Sequence, residues 1–172
     1  MGEDKALLPF GRSKTLTQYQ IQRISTWFES VHVSCKDKKK FDFTASFIED
    51  SHEFEEFSPL VALYSILRYF NSSVCILSVD TPFVSKEVFE VLHVAFQDKD
   101  AVIAKSPFGT HQLCGIYSNK TINILRKQIE KNNHKIRNYL NLIDTGYRFF
   151  DDDEFFFNMN KKEEYDFAKK KL

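Results

Sequence analysis

Asp80 sits at the abrupt end of a nearly continuous apolar run, Val74-Cys75-Ile76-Leu77-Ser78-Val79, and is followed by Thr81-Pro82. Such a run reads as a parallel strand covered on both faces, and ligands of open parallel sheets bind at the carboxyl ends of the strands. A carboxylate there can hold Mg2+, a hard cation that favours carboxylate, water and phosphate oxygens. The metal would neutralise charge building on a transferring phosphoryl group and on a pyrophosphate leaving group. The same Asp-Thr-Pro also suits a helix cap or an Asx turn, so Asp80 taken alone leaves both roles open. Other residues carry less information by themselves. Lys5 reads as a solvated lysine near the terminus, and Asp50 as a loop residue after Ile48-Glu49. Asn158-Met159-Asn160 is either a turn or a pair of amides able to donate and accept. His111 reads as a structural histidine at a strand edge. Lys38 to Lys40, Lys161-Lys162 and Lys169 to Lys171 read as solvated charge, with docking on an acidic protein surface as the alternative. The run Asp151 to Glu154 reads as a polar hairpin tip, with cation binding as the alternative.

The elements that must position these residues follow from periodicity. Pro9-Phe10-Gly11 signals a turn. Apolar residues at helical spacing predict a helix over Thr15–Phe28, capped by Ser13 or Thr15. A short strand is expected over Val31–Cys35, and Phe47-Ile48 forms a second apolar patch. Ser58-Pro59 places a cap before a proline at the first helical position, with Leu60, Leu63, Tyr64 and Leu67 as the stripe behind it. Ser85 opens a further helix carrying Val88, Val91 and Leu92. Strands are expected over Ala101–Ala104, Leu113–Tyr117, Tyr147–Phe150 and Phe155–Phe157. Helices are expected over Thr121–Lys131, Ile136–Leu142 and Lys162–Lys170. Strands alternating with helices predict an α/β domain with a mostly parallel sheet. No repeat or linker divides the chain, so residues 1–172 read as a single domain.

Composition excludes several classes. Lys+Arg and Asp+Glu both total 24 in 172 residues, giving a formal net charge of zero. A general nucleic-acid or membrane-surface binder usually carries an excess of positive charge; one local pocket still suffices for a small phosphorylated ligand. Three cysteines, Cys35, Cys75 and Cys114, are far apart and form no CxxC pair, so neither a zinc site nor a disulfide framework is expected. A reduced, cytoplasmic protein is the simplest expectation, and no apolar stretch is long enough to span a membrane.

Five stretches, in order, resemble one family. Met1-Gly2-Glu3-Asp4-Lys5-Ala6-Leu7-Leu8 resembles the end of a signature L-x-G-G-x-S-x-R-M-G-x-D-K. Ile48-Glu49-Asp50-Ser51 with Ser58-Pro59-Leu60 is similar to an E-D…G-P-L segment. Val79-Asp80-Thr81-Pro82-Phe83 resembles a C-D-x-P strand end, and His111-Gln112-Leu113 an H-P-L segment. Phe157-Asn158-Met159-Asn160 with Glu163-Glu164 resembles the terminal N-x-N-x-x-E-(E/D). On these the chain resembles the MobA-like molybdenum cofactor guanylyltransferases. That resemblance implies a three-layer sandwich with a Rossmann-like sheet of the nucleotide-diphospho-sugar transferase type. It also implies transfer of GMP from GTP to molybdenum-bearing molybdopterin, with release of pyrophosphate. It implies Mg2+ as cofactor, held by Asp80; Lys5 on the GTP phosphates; Asp50, Pro59 and Leu60 at the guanine nucleotide; and Asn158 and Asn160 toward the pterin. Molybdoenzymes or a MobB-type accessory protein are the implied docking partners.

Departures from the family pattern bear on particular contacts. Ser58 stands where glycine is usual, Gln112 where proline is usual, and Ser34-Cys35 where some relatives offer asparagine to the nucleotide. The glycine-rich phosphate turn and its strand have no counterpart before Met1, so an apolar slot and unpaired backbone are expected in mid-sheet. Met1 is then expected to be an internal methionine, with true truncation as the alternative. Cytidylyl or sugar-phosphate nucleotidyl transfer on the same fold, and a non-catalytic cofactor-docking module, are the alternative functions.

Overall fold

The computed structural model describes residues 4–171, so Met1-Gly2-Glu3 of the first signature lie outside the described residues. Helix α1 spans Leu16–Ile24, and Thr15 caps it by accepting from the Gln18 amide. It stops earlier than its apolar periodicity suggests: Ser25 to Trp27 form turns, while Trp27 and Phe28 pack on the second core cluster. Strands β1 (Val33–Cys35) and β2 (Phe47–Glu49) pair in parallel as a two-stranded sheet. Helix α2 (Pro59–Phe70) begins as expected, with the Ser58 hydroxyl accepting from the Val61 amide and Pro59 in the first turn. It ends at Asn71, whose left-handed conformation is one that asparagine tolerates.

Strand β3 (Val74–Leu77), helix α3 (Lys86–Phe96), β4 (Ala101–Ser106) and β5 (Gly109–Tyr117) follow. Then come α4 (Ile122–Glu130), α5 (Ile136–Leu140), β6 (Thr145–Phe149) and α6 (Lys162–Lys170). The second sheet has the order β3-β5-β4-β6. Strands β3, β4 and β6 run one way, and β5 runs against them, so β5 pairs antiparallel on both sides while β4 and β6 pair in parallel. The α/β class holds, with a mixed larger sheet. The segments expected at Ala101–Ala104 and Leu113–Tyr117 are two arms of one hairpin, because Pro107-Phe108 is short enough only for an antiparallel return. Phe155–Phe157 is a correction: Glu154–Phe156 is a turn of 3-10 helix, so Asp151 to Glu154 is no hairpin tip. Phe156 is buried there and finds its partners without a strand.

One core cluster lies under α2, α4 and α5, and another under α3 and the opposite face of the sheet. Between the two sheets is an apolar cavity of about 590 Å3. Ile21 and Ile24 of α1, Leu63 and Ile66 of α2, Val33 of β1 and Ile76 of β3 line it. Among the described residues, β1 pairs only with β2 and β3 only with β5. The backbone edges flanking this slot are therefore free of strand partners.

Candidate active site

The rim at the carboxyl ends of β3, β4 and β6 gathers most of the residues singled out in the sequence. β3 stops at Leu77, and the chain turns sharply: the Thr81 hydroxyl donates to the Ser78 carbonyl at 2.9 Å. The Ser78 amide still bonds to the Leu113 carbonyl at 2.8 Å, which ties the turn to β5. Asp80 is half-buried within this turn. The Ser78 hydroxyl donates to Asp80 Oδ1, and the other carboxylate oxygen has no hydrogen-bond partner among the described residues.

The N-x-N spacing has a physical cause. Met159 is 1 % exposed and packs with Phe10, Leu16 and Tyr165 in a third core cluster. Its amide donates to the Asp80 carbonyl at 3.1 Å. With the central residue anchored inward, Asn158 and Asn160 are left exposed on either side. Asn160 Oδ1 accepts from Lys5 Nζ at 3.1 Å across 155 residues of chain. Glu164 accepts from the Asn160 and Lys161 amides, both at 2.7 Å, which holds the start of α6 against this strap. Lys5 itself lies in a 3-10 turn, Lys5–Leu7, that Asp4 caps through the Ala6 amide. Lys40 pairs with Asp4 at 2.7 Å, so one member of the basic run steadies the Lys5 turn. The structure thus brings Lys5, Asn160 and Asp80 to one rim.

Asp50 stands apart, at the end of β2 in the other sheet. Its amide donates to the Cys35 carbonyl at 3.0 Å, and it is only 5 % exposed. Its Oδ1 is buried with no hydrogen-bond partner among the described residues. Burial pushes its carboxyl pKa up, with Lys36 and His52 working the other way. A buried acceptor without a donor carries a cost of about 1–3 kcal/mol, which a ligand N–H can relieve. Pro59 is exposed, but Leu60 is fully buried in the first core cluster. Its side chain is not available to a nucleotide, and only the backbone at that helix start can take part.

His111 is held structurally, as expected. Its Nε2 is 2.8 Å from the Ser106 hydroxyl, and its ring stacks on Phe156 at 4.1 Å and 9°. Burial lowers its pKa, against a smaller opposite effect of Asp153. The unfolded chain therefore binds more protons than the folded one just below the unfolded value of about 6.5. The stability this histidine contributes is present above that pH and is lost as pH falls toward the depressed folded value. Thermal melts should show a midpoint that declines between about pH 7 and pH 5, and H111Q should flatten that part of the profile. A profile for H111Q that overlays the wild type would show that other groups set the decline.

Residues that sequence reasoning passed over also serve the rim. Gln20, 5 % exposed, reaches the turn around Asp80 from α1. The one available signal was a polar residue at an inward helical position, four after the fully buried Leu16. Among the described residues there is no group of three or more His, Cys, Asp or Glu able to hold a metal. Asp80 fits a divalent cation only as a single carboxylate ligand, with phosphate and water oxygens supplying the rest, which is how Mg2+ is usually held in phosphoryl-transfer sites.

Comparison with known proteins speaks to the family and the fold. The family described as the MobA-like NTP transferase domain matches residues 1–145. The molybdenum cofactor guanylyltransferase of Campylobacter jejuni (strain RM1221) is 41 % identical over 174 residues, covering 100 % of this chain and 90 % of that protein. The crystal structure of molybdopterin-guanine dinucleotide biosynthesis protein A from Archaeoglobus fulgidus superposes with a TM-score of 0.83 at 24 % identity, covering 98 % of this chain and 90 % of that one. That of 2-C-methyl-D-erythritol 4-phosphate cytidylyltransferase from Thermus thermophilus superposes with a TM-score of 0.72 at 12 % identity, covering 96 % and 92 %. Likeness at those two identities speaks to the fold.

Proposed function

Because the chain belongs to the MobA-like NTP transferase family, we propose that it transfers GMP from GTP to molybdenum-bearing molybdopterin and releases pyrophosphate. The terminal phosphate of the pterin attacks the α-phosphorus of GTP, and the bond to the β-phosphate breaks. Supporting this reading is the convergence of Lys5, Asn160 and Asp80 on one rim, through the Lys5–Asn160 hydrogen bond and the Met159–Asp80 backbone bond.

Each residue has a distinct task. Lys5 brings a mobile point charge to the phosphates, where negative charge grows during transfer. Its present acceptor, the Asn160 amide oxygen, is neutral, so an incoming phosphate outcompetes it for the ammonium. Asp80 carries the metal contact, and Ser78 leaves one of its carboxylate oxygens free for that purpose. Held there by Asp80, a divalent cation, Mg2+ in this reading, would supply positive charge against the phosphates of a bound triphosphate. Asp50, with its unpartnered buried oxygen, accepts from guanine N1–H and the exocyclic amine. Asn158 and Asn160, exposed on both sides of Met159, face the pterin substrate. Molybdoenzymes that receive the product, or a MobB-type accessory protein, are the docking partners of this reading.

The test is pyrophosphate release with molybdenum-loaded molybdopterin, supplied with GTP in one arm and CTP in the other. Release with GTP and not with CTP is expected. Preference for CTP would overturn the choice of base, and inertness of both arms would overturn the transferase reading.

A further inference from the structure

Helix α1 carries three polar residues at successive i, i+3 positions, Thr17, Gln20 and Arg23, which therefore share one face. Thr17 and Gln20 are 3 % and 5 % exposed. Burying such groups is unfavourable unless each hydrogen bond is made. Here both donors bond to backbone of the rim, and the Gln20 amide oxygen is satisfied by Arg23. The Thr17 hydroxyl donates to the Ala6 carbonyl at 2.8 Å, inside the turn that carries Lys5. Gln20 Nε2 lies 3.2 Å from the Val79 carbonyl and 3.3 Å from the Thr81 carbonyl, the two residues flanking Asp80. Gln20 Oε1 accepts from Arg23 Nε at 3.2 Å and from its terminal nitrogen at 2.6 Å, which fixes the amide's orientation. Arg23 also donates to the Val84 carbonyl and lies over the Trp27 ring at 4.7 Å.

We propose that Thr17, Gln20 and Arg23 form a positioning stripe that sets the separation between Lys5 and Asp80, with Gln20 as its central positioning residue. The stripe touches no substrate. It fixes the carbonyls on both sides of the metal-binding carboxylate and, from the same helix, the turn bearing the phosphate-binding lysine. α1 thus acts as a ruler between two charges that must meet one triphosphate. The inference rests on the roles proposed above for Lys5 and Asp80. A displacement near 1 Å at such a site costs on the order of 10²-fold in rate, so loss of one tether should be visible in turnover.

The experiment compares the full chain with Q20M, T17V and T17S. Q20M keeps side-chain length and removes both donors; T17V keeps shape and removes the hydroxyl; T17S restores it. Amide hydrogen exchange is read at residues 5–7 and 79–84, alongside kcat and KM for GTP per folded molecule. Q20M should speed exchange at 79–84, and T17V at 5–7, each by about tenfold or more, with core strands unchanged. Both should lower kcat by about tenfold or more with KM shifted less, and T17S should recover it. Unchanged exchange in both rim segments, or faster exchange with kcat intact, overturns the stripe. Variants K5A and D80N serve as controls: if they keep full turnover, the site reading fails, whatever Q20M does.

Discussion

Exchanging Asp80 for asparagine is expected to lower turnover of GTP on the order of 10²- to 10³-fold, the scale on which one preorganised electrostatic contact acts in such reactions. The exchange removes a charge and little else. Asparagine keeps an acceptor for the Ser78 hydroxyl, and the Asp80 backbone bond to Met159 does not depend on the side chain. The fold should hold: the unfolding midpoint is expected to stay within about 2 °C of wild type, since no core contact changes. Mn2+ titrated in the presence of GTP should bind more weakly to D80N, because a neutral amide is a poorer ligand for a hard cation than a carboxylate. Full turnover by a folded D80N protein would remove the carboxylate from the mechanism. Lower turnover with a large fall in midpoint would instead mark Asp80 as a turn-forming residue.

The features legible in advance were those written in neighbouring residues. Ser58-Pro59 announced α2 because both cap and proline act within one turn. The apolar run ending at Asp80 announced β3 and the turn after it, but the expectation of a parallel strand covered on both faces is corrected: β3 pairs antiparallel with β5, and only Val74 of Val74–Leu77 is buried, because its other edge borders the apolar slot. Helix α6 begins and ends where its charge and apolar pattern place it. Features set by distant partners were not legible in that way. Strand β5 reverses against β3 and β4, a matter of how Pro107-Phe108 closes and not of its own composition. Phe155-Phe156-Phe157 has strand-like residue types, but burial of Phe156 against His111 and Phe150 favours a tight 3-10 turn. Position in a motif places Leu60 at the nucleotide, while helical periodicity sends its side chain to the core. Gln20's inward helical position marks it as a tethered polar residue but not what it tethers, because its partners lie about 60 residues away and no short pattern encodes that distance. The rim contacts of Lys5 and Asn160 are further apart still, and only family resemblance pointed to them in the sequence.

The largest effect on stability is expected from Gly115→Ala, which should cost about 2–3 kcal/mol, toward the upper end of what overpacking a core does. Gly115 lies mid-strand in β5, opposite Ile76 of β3 and Ile103 of β4. A Cβ built there would stand 2.6 Å from Ile103 Cδ1 and 2.7 Å from the Val102 carbonyl oxygen. The first clash is with the tip of a side chain that is itself 0 % exposed and packed in the first core cluster, leaving it little room to rotate. The second is with backbone, and relieving it means spreading β4 from β5. At about 2–4 °C per kcal/mol for a chain of this size, the midpoint should fall by roughly 5–10 °C. Two other glycines give the comparison that isolates this cause. At Gly146, an added Cβ meets Val102 Cγ2 at 3.3 Å and Lys99 Cγ at 3.5 Å, contacts that a small adjustment absorbs. G146A should therefore lie within about 0.5 kcal/mol of wild type, a strand interior being a place where glycine gains nothing from its flexibility. Gly109 has open space but a φ of +144°, so G109A should cost about 1–3 kcal/mol through backbone strain alone. Urea unfolding of the three variants should then place G115A with or below G109A, and both below G146A. A G115A midpoint equal to that of G146A would mean that β4 and β5 separate freely. Because the Ser78 amide is tied to β5 at Leu113, looseness there would also leave the Asp80 turn without one of its anchors.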